Sequence, residues 1–558
     1  MTRSVIDPIT RIEGHLRVEM EVTNGRVSDA WVSGGCFRGM ELVVQDRTPE
    51  DAAQIVERIC GVCPVSHAHA SSIAGEKAYG ITISNNARLI RNIVEGAQFL
   101  HSNILWLYNL AGLDYVNPLN ALTANVADAY DVAQDMNLSM HSDFRTLKEK
   151  LAAFAANGQL SIFSGNWFDA DGGTAYKLTP ELDLILTAHY LEALKMQARA
   201  SEVAALMGGK MPHIMTAIPG GSMFVPTESK LDDLKAMVDE IYDWVFETVL
   251  PDTLALVGAY PDVLSFGKGC GRYIAWGVFE GNGWPYNDDY IEQMQHRYLP
   301  MAVLDEDFGV SDVEESLITE YMGHSWYKGD GTYESPYFVT EPEYTDYDVE
   351  DRYSWVKCPA YDGQPMEAGS MARVFAAYRR GVPWIVENVD AVIAALGGTK
   401  GDLSIFQSTL GRTGIRQVET MYVAHLMKNV WVPELMEALA SGDSECFRKA
   451  HRTTGEGTGF WEAPRGALYH SEKVENGKIK GYQIIIPSTW NLAPMNAEGV
   501  HGPLEQALLG VPVEDIDKPI NALRTVHSFD PCTACAVHVT EPATGKSFET
   551  VTSPWGVK

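Results

Sequence analysis

Apolar and polar residues alternate near the N-terminus in the pattern of a β-hairpin. Every second residue from Leu16 to Val22 is apolar, Asn24-Gly25 provides a tight turn, and residues 27–32 return with apolar side chains. A strand pair that buries one face needs this alternation, because successive side chains of a strand point to opposite faces. We therefore predict a hairpin over residues 16–33.

Longer segments repeat their apolar residues three and four positions apart, which predicts amphipathic helices. The clearest patterns cover residues 85–111, 181–208, 228–249 and 412–441. Residues 97–108 are apolar almost all round, which is typical of a helix at the centre of a bundle. We expect an α+β fold, mainly helical, in which a central bundle of long helices carries small peripheral antiparallel sheets.

Two segments in the second half of the chain break the helical pattern. Residues 467–486 predict a strand, a turn at Asn476-Gly477 and a second strand. Residues 327–352 are dominated by Tyr, Asp, Glu, Gly and Pro, so we interpret them as a long surface loop or a small insertion.

A shorter helix is predicted just before residue 61. Thr48 is suited to cap it, Pro49 to be its first residue and Asp51 to be the acidic partner in the first turn. This helix would end near Gly61, so the cysteines that follow would lie on a rigid support.

The composition narrows the classes of function. The chain has 558 residues and a formal net charge of −31, from 43 basic and 74 acidic side chains. This balance disfavours nucleic-acid binding and direct docking on anionic lipid. The N-terminal segment has no apolar signal region, and no apolar run approaches the about 18–20 residues of a membrane span. The chain alone therefore suggests a cytoplasmic protein, although export with a signal-bearing partner is compatible with it.

The cysteines carry the strongest chemical signal. Two Cys-x-x-Cys pairs, Cys60–Cys63 and Cys532–Cys535, are separated by 468 residues. Four thiolates form a soft-metal ligand set, but a zinc ribbon spaces its pairs by only about 15–20 residues. One integrated core must therefore join the two pairs. The other four cysteines are scattered singly, so any iron–sulfur chain must belong to another subunit.

Charged and polar residues surround both pairs. Arg58 and His67 flank the first pair, and Asp530 and His538 flank the second. A cation or an imidazole N–H near thiolates offsets their charge and tunes the sulfur. Residues 539–558 form a polar tail without periodicity, which is unusual so close to a buried ligand pair unless the tail is temporary.

Taken together, the motifs resemble the large subunit of nickel–iron hydrogenases over essentially the full length of the chain. The matching segments are Thr10-Arg11-Ile12-Glu13-Gly14-His15, Arg38-Gly39-Met40-Glu41, Arg58-Ile59-Cys60-Gly61-Val62-Cys63 with His67, Ala463-Pro464-Arg465-Gly466, Pro487-Ser488-Thr489-Trp490-Asn491, and Asp530-Pro531-Cys532-Thr533-Ala534-Cys535 with His538. Six ordered matches are very improbable by chance.

The resemblance implies a nickel–iron centre whose iron carries carbon monoxide and cyanide. It implies that Cys60 and Cys532 are terminal nickel ligands and that Cys63 and Cys535 bridge nickel to iron. His67 would donate a hydrogen bond to a bridging sulfur. Arg465 would cover the open metal position, oriented by Asp530, and Pro464 and Ser488 would line the pocket of the diatomic ligands. Soft thiolates suit both metals.

The implied reaction is reversible heterolytic cleavage of dihydrogen into protons and electrons. The proton needs a base, and the thiolate of Cys532 and the guanidine of Arg465 are the two candidates. A neutral guanidine at pH 7 would require a very large pKa shift, so we favour Cys532. Glu13 would be the first relay beyond it.

The resemblance also implies a second metal and a maturation step. Glu41, the backbone carbonyl of Ile484 and His538 would bind magnesium together with water. Cleavage between His538 and Val539 by a dedicated endopeptidase would leave residues 1–538 as a single catalytic domain and remove residues 539–558 as a propeptide.

The partners implied are an obligate iron–sulfur small subunit, nickel-insertion chaperones and, through the small subunit, a membrane cytochrome. The Gly-Gly-Lys-Met-Pro-His run at 208–213 resembles the respiratory uptake group, which favours a periplasmic or membrane-associated location by co-export, with a cytoplasmic location as the alternative. The chain departs from several members at Ser102, where they carry an aspartate beside the pocket arginine. Arg465 would then depend more on Asp530.

Two other hypotheses stay open on the sequence alone. The related large subunit of respiratory complex I shares the fold and binds quinone, but it lacks the thiols. A structural zinc protein would need neither Glu13 nor Arg465, and its cysteine pairs would lie close in sequence.

Overall fold

The computed structural model describes residues 2–160, 175–281, 290–338, 341–450 and 452–533. The α-helices are α1 (Met40–Val43), α2 (Pro49–Val56), α3 (Pro64–Tyr79), α4 (Asn85–Leu105), α5 (Val126–Asp135), α6 (Phe144–Ala156), α7 (Pro180–Gly208), α8 (Glu228–Trp244), α9 (Leu250–Ala259), α10 (Tyr290–Gln295), α11 (Ser370–Arg379), α12 (Pro383–Ala395), α13 (Thr409–Leu426), α14 (Val432–Ala440), α15 (Pro487–Asn491), α16 (Pro503–Leu508) and α17 (Ile520–Ser528). The strands are β1 (Thr2–Ile6), β2 (Leu16–Thr23), β3 (Arg26–Gly34), β4 (Ala217–Ile218), β5 (Gly221–Ser222), β6 (Tyr273–Ala275), β7 (Ala302–Leu304), β8 (Val310–Ser311), β9 (Ile318–Tyr321), β10 (Thr332–Glu334), β11 (Cys358–Tyr361), β12 (Gly455–Ala463), β13 (Gly466–Glu475) and β14 (Lys478–Ile485).

The four predicted long helices are confirmed. α4 continues as a π-helical turn over Trp106–Ala111, so the helical segment covers the predicted residues 85–111. π-helical turns also join α8 to α9 and α13 to α14. α4 packs on α7 and α13, and almost every side chain of α4 is buried, as expected for a helix at the centre of the bundle.

The predicted hairpins are also confirmed, and each belongs to a three-stranded antiparallel sheet. β2 and β3 turn at Asn24-Gly25, with β1 added at the edge of β2. β13 and β14 turn at Asn476-Gly477, with β12 added at the edge of β13. β12 was not predicted, because its Gly-Glu-Gly-Thr-Gly start hides the strand pattern.

Helix α3 was not predicted either, and the reason lies in its packing. Nearly all of its side chains are buried, so its sequence lacks the polar face that marks an amphipathic helix. α3 lies directly on β12, where Gly455, Gly457 and Gly459 allow its backbone to approach. A Cβ atom on Gly459 would clash with the carbonyl oxygen of Ala70. These close contacts run along the middle and end of α3, the helix that begins directly after the first cysteine pair.

The segment 327–352 is mostly exposed, as expected of a surface loop, and it contributes the short strand β10. Tyr327 is an exception, since it packs with Trp326 and Trp355 in a buried aromatic cluster. Residues 339–340 lie outside the described part of the chain.

The largest buried apolar cluster draws on residues from Ile9 to Phe529, so the two ends of the chain share one core. Within the described residues, no helix combines the length and the apolar character required to cross a bilayer.

Candidate metal centre

Three cysteine sulfurs from the two ends of the chain meet in the interior. The Sγ atoms of Cys60, Cys63 and Cys532 all lie within 4.8 Å of one another, and those of Cys60 and Cys532 are 3.4 Å apart. Each residue is at most 2% exposed. Cys535, the fourth cysteine of the predicted set, lies outside the described residues. Three converging thiols shielded from water form a ligand set for a soft metal.

The first pair occupies the short connection between two helices. Thr48 caps α2 by accepting the backbone N–H of Asp51, as predicted, and a 3₁₀ turn follows α2. Cys60 is extended, and Cys63 directly precedes α3, which begins with Pro64. The backbone N–H groups of Val62 and Cys63 point to Sγ of Cys60, at 3.2 and 3.3 Å. Such donors favour the thiolate over the thiol.

Cys532, the first cysteine of the second pair, follows α17 and lies against the N-terminal segment. The N–H of Cys532 donates to Oγ of Ser488 at 3.0 Å, and the N–H of Thr533 donates to the carbonyl oxygen of Glu13 at 2.7 Å. Glu13 and Cys532 form a parallel β-bridge. Residues from opposite ends of the chain thus share backbone hydrogen bonds beside the sulfurs.

Glu13 brings a carboxylate to this position. Its Oε2 lies 3.2 Å from Sγ of Cys532. The side chain is partly exposed, so it connects the buried sulfur with the outside of the core. A carboxylate between a buried thiol and water is suitable for proton transfer.

A buried ionic cluster holds the segment that carries Glu13. Arg11 pairs with Asp114, whose other oxygen lies 2.6 Å from Nδ1 of His527. Nε2 of His527 lies 2.8 Å from the carbonyl oxygen of Thr10. Burial raises the pKa of Asp114, but the charges of Arg11 and His527 outweigh it and lower this pKa to about 2. Asp114 is therefore ionised and fixes the backbone immediately before Glu13.

Arg465 and Asp530 form a buried ion pair beside the cysteines. Nη2 of Arg465 lies 3.0 Å from Oδ1 of Asp530, and its Nη1 donates to Oγ of Ser102 at 3.4 Å. Burial lowers the pKa of Arg465, but the negative charges of Asp530 and the nearby cysteine thiolates raise it by more than burial lowers it, so the net shift is upward. The side chain stays a guanidinium. It can donate hydrogen bonds and stabilise negative charge, but it cannot act as a base.

A second arginine, which the sequence analysis did not single out, shares this aspartate. Nη1 of Arg416 lies 2.9 Å from Oδ2 of Asp530, and its guanidinium stacks on Trp106. Asp530 therefore holds two guanidinium groups, one on each oxygen. The spacing of Arg412, Arg416 and Glu419 on a helix that has no other Arg, Lys, Asp or Glu was the signal available in the sequence.

The backbone before Arg465 is fixed by another buried arginine. Arg373 donates to the carbonyl oxygens of Ala463 and Pro464 at 3.0 and 2.7 Å. Its charge is balanced by Glu419 and Glu462. Ala463 packs with Cys60, Cys63 and Cys532, and Pro464 gains a defined position directly after it.

His67 lies four residues after Cys63 on α3 and is fully buried. Its Nδ1 is 3.1 Å from Nε2 of His470, whereas its own Nε2 has no hydrogen-bond partner among the described residues. Burial lowers the pKa of His67 to about 4, so the ring is neutral. An orphaned imidazole nitrogen close to Cys60 fits a ligand sulfur or another group of a bound metal centre.

The predicted magnesium ligands meet only in part. Oε1 of Glu41 accepts the backbone N–H of Ile484 at 2.9 Å, and His538 lies outside the described residues. Lys357, which was not anticipated, lies 3.7 Å from Glu41 and 3.7 Å from Glu320. These side chains line a cavity of about 70 Å³ that has room for an ion with some of its water.

Comparison with known proteins decides the family. The family model described as nickel-dependent hydrogenase matches residues 38–538, and a model described as HoxL-like matches residues 3–33. This chain belongs to the nickel-dependent hydrogenase family. The sequence is 37% identical to the hydrogenase-2 large chain of Escherichia coli K12, and the alignment covers 97% of both chains. It is 34% identical to the uptake hydrogenase large subunit of Afipia carboxidovorans, over 96% of this chain and 95% of that protein.

Solved structures show the same hydrogenase fold. The nickel–iron–selenium hydrogenase of Desulfovibrio vulgaris Hildenborough superposes with a TM-score of 0.79 at 31% identity, covering 96% of this chain and all of that one. The reduced enzyme of Desulfomicrobium baculatum gives 0.76 at 33% identity, with the same coverage. Family membership implies a nickel–iron centre. The three buried thiols, their amide donors and the orphaned nitrogen of His67 form an environment that fits it.

Proposed function

We propose that this hydrogenase large subunit cleaves dihydrogen reversibly and heterolytically at a nickel–iron centre bound by Cys60, Cys63, Cys532 and Cys535. The convergence of three buried sulfurs from both ends of the chain is the observation that carries this proposal. All four cysteines would hold the nickel, Cys63 and Cys535 would also hold the iron, and that iron would carry carbon monoxide and cyanide. The bound centre supplies the site at which dihydrogen is polarised and gives up two electrons.

The side chains around the sulfurs transfer the proton and shape the pocket. Sγ of Cys532 accepts the proton, and Oε2 of Glu13 takes it on, which is supported by the 3.2 Å between these atoms. Arg465 holds its charge over the open side of the site, oriented by Asp530. Pro464 and Ser488 line the pocket of the diatomic ligands. Oγ of Ser488 also accepts the backbone N–H of Cys532 and so fixes the position of that cysteine.

Electrons leave through an iron–sulfur small subunit in this proposal. An exposed apolar surface supports a docking site for that partner. Met215, Met223 and Val225 are 62%, 57% and 47% exposed. They belong to the segment around β4 and β5, and β4 packs on α2 and α3, the helices that flank the first cysteine pair. A partner seated there would lie close to the centre, as electron transfer by short hops requires.

A magnesium site is proposed at Glu41, the carbonyl of Ile484 and His538. The polar cavity beside Glu41 supports it, because the carboxyl groups of Glu41 and Glu320 line this cavity together with Lys357. Maturation would involve nickel-insertion chaperones and an endopeptidase that cuts after His538. Co-export with the small subunit would place the enzyme at the periplasmic side, next to a membrane cytochrome.

The test is the metal content of anaerobically purified protein together with dihydrogen-dependent dye reduction. The protein is co-expressed with its small subunit. We expect about one nickel and one iron at this centre per chain and loss of dye reduction in Cys532→Ala. Cys446→Ala, which alters a buried cysteine outside the cluster, should keep both. Zinc without nickel or iron would instead support a structural zinc site.

A further inference from the structure

Helix α3 begins directly after the first cysteine pair, and its N-cap residue does not cap it. Cys63 occupies the N-cap position, and within the described part of the chain its side chain makes no capping hydrogen bond. Its sulfur lies with those of Cys60 and Cys532 instead. Residues that usually fill this position carry an oxygen that accepts an N–H group of the first helical turn. Since Pro64 has no N–H, the first such group of α3 is that of Val65, and it needs an acceptor from another element.

Gln98 on α4 supplies this acceptor. Its Oε1 accepts the backbone N–H of Val65 at 2.8 Å, and its Nε2 donates to Oγ of Ser66 at 2.6 Å. The side chain of Gln98 is fully buried, so water does not compete for these hydrogen bonds. One amide group thus holds both the backbone and a side chain of the first turn of α3. Gln98 takes the place of an N-cap, although it belongs to a different helix.

Glu95 fixes the orientation of Gln98 and binds α3 a second time. Its Oε1 accepts Nε2 of Gln98 at 3.0 Å and the hydroxyl of Ser66 at 2.5 Å. Its Oε2 lies 2.7 Å from Nδ1 of His69 and accepts the indole N–H of Trp461 at 3.1 Å. A carboxylate can only accept hydrogen bonds, so Nδ1 of His69 carries the hydrogen. Four donors therefore occupy the acceptor positions of this buried carboxylate.

The spacing of these residues along the two helices explains why they meet. Glu95 and Gln98 are three residues apart on α4, and Ser66 and His69 are three residues apart on α3, so each pair shares one face of its helix. The helices α3 and α4 contact each other, and Trp461 belongs to β12, the strand that lies directly on α3. Glu95 thus joins α3, α4 and β12 at the first two turns of α3.

We propose that Gln98 and Glu95 are positioning residues for Cys63, because they fix the first turn of α3 and thereby the direction in which Cys63 presents its sulfur to the metals. The rigid ring of Pro64 joins Cys63 to this turn, so a movement of the turn moves the cysteine. The backbone N–H of Cys63 donates to Sγ of Cys60 at 3.3 Å, so the same movement would also alter a hydrogen bond to a second ligand. This role rests on the proposed function, in which Cys63 holds both nickel and iron.

Amide hydrogen exchange tests the cap in the full chain, purified from cells grown without nickel. Gln98→Met conserves the volume of the side chain but removes the acceptor. Exchange in residues 65–70, measured by mass spectrometry, should accelerate by about threefold to tenfold, as expected from the loss of one hydrogen bond. Gln197→Met is the matched control, since Gln197 is a buried glutamine on α7 whose amide donates to Asn109. It should leave this segment unchanged, and wild-type exchange in Gln98→Met would overturn the cap.

Infrared spectroscopy of the metal-loaded, co-expressed protein tests whether the cap positions the cysteine. The bands of carbon monoxide and cyanide on the iron respond to the geometry of the sulfur ligands. They should shift in Gln98→Met and keep their wild-type positions in Gln197→Met. Faster exchange with unshifted bands would show a cap that only stabilises the helix, and would overturn the positioning role. A wild-type protein without these bands would instead overturn the proposed function.

Exchanging the two side chains provides a rescue. Glu95→Gln alone places two amides side by side, and Gln98→Glu alone places two carboxylates side by side, so each should behave like Gln98→Met. In the double variant, one carboxylate and one amide again face the same donors. The slow exchange of residues 65–70 and the wild-type bands should then return together. A double variant that stays like the single variants would contradict the assignment.

Discussion

Sγ of Cys532 lies 3.2 Å from Oε2 of Glu13, although the two residues are 519 positions apart in the sequence. The contact does not depend on the two side chains alone. The backbone of Glu13 accepts hydrogen bonds from the N–H and the hydroxyl of Thr533, and the ionic cluster at Asp114 holds the preceding residues. The sulfur and the carboxylate are thus held together by several independent contacts, as a proton-transfer pair requires.

Glu13→Gln should abolish most of the turnover and preserve the metal centre. The amide keeps the size of the side chain but cannot carry the proton, so dye reduction with dihydrogen should fall on the order of 10²-fold or more. Nickel and iron content should stay at the wild-type level, because the cysteine ligands are intact. Glu21→Gln, a change of a partly exposed residue on the middle strand of the first sheet, is the control and should be as active as the wild type. Comparable activity in Glu13→Gln and the wild type would show that protons leave by another path.

Asp530→Asn should destabilise the protein strongly. It removes the charge that balances both Arg465 and Arg416, and loss of one partner of a buried ion pair costs about 3–5 kcal/mol in the free energy of unfolding. Denaturant unfolding, monitored by circular dichroism, measures this loss of stability. Glu341→Gln breaks the exposed pair with Lys328 and should leave the unfolding midpoint unchanged. Equal midpoints for the two variants would contradict the balancing role of Asp530.

Because of Asp114, the free energy of unfolding should decrease at acidic pH. Its pKa is about 2 in the folded protein against 3.8 for the ordinary group, so the folded state binds its proton less readily than the unfolded state. The resulting stabilisation, about 2 kcal/mol from the shift in pKa, is complete above about pH 4 and is lost as the pH falls toward 2. Asp114→Asn should remove it at neutral pH and flatten the pH dependence of the unfolding free energy in this interval. The exposed change Asp135→Asn should retain the wild-type curve, and an unchanged curve in Asp114→Asn would refute the assignment.

Maturation should shorten the chain. We predict cleavage between His538 and Val539 once nickel is bound, so the intact mass of the metal-loaded protein should correspond to residues 1–538. Protein purified from cells grown without nickel should keep residues 539–558. Metal-loaded protein that still carries this tail in the mass spectrum would refute the prediction.

The local elements of the fold could be predicted from the sequence because neighbouring residues determine them. The turn at Asn24-Gly25 and the spacing of apolar residues over 85–111 depend on backbone preferences and on one buried face. α3 and β12 escaped prediction for a reason of tertiary packing. Each buries small residues against the other, and neither shows the contrast between apolar and polar faces that a periodic pattern needs.

The sequence by itself also determined which residues could carry the chemistry, since the two Cys-x-x-Cys pairs and their flanking motifs are local and specific. Only the tertiary structure decided how they meet. It placed Cys60 3.4 Å from Cys532, gave Asp530 a second guanidinium from Arg416, and aligned His67 with His470 and Tyr482. These contacts join residues more than a hundred positions apart in most cases, and their distances follow from how the whole core packs. No local pattern in the chain encodes such distances.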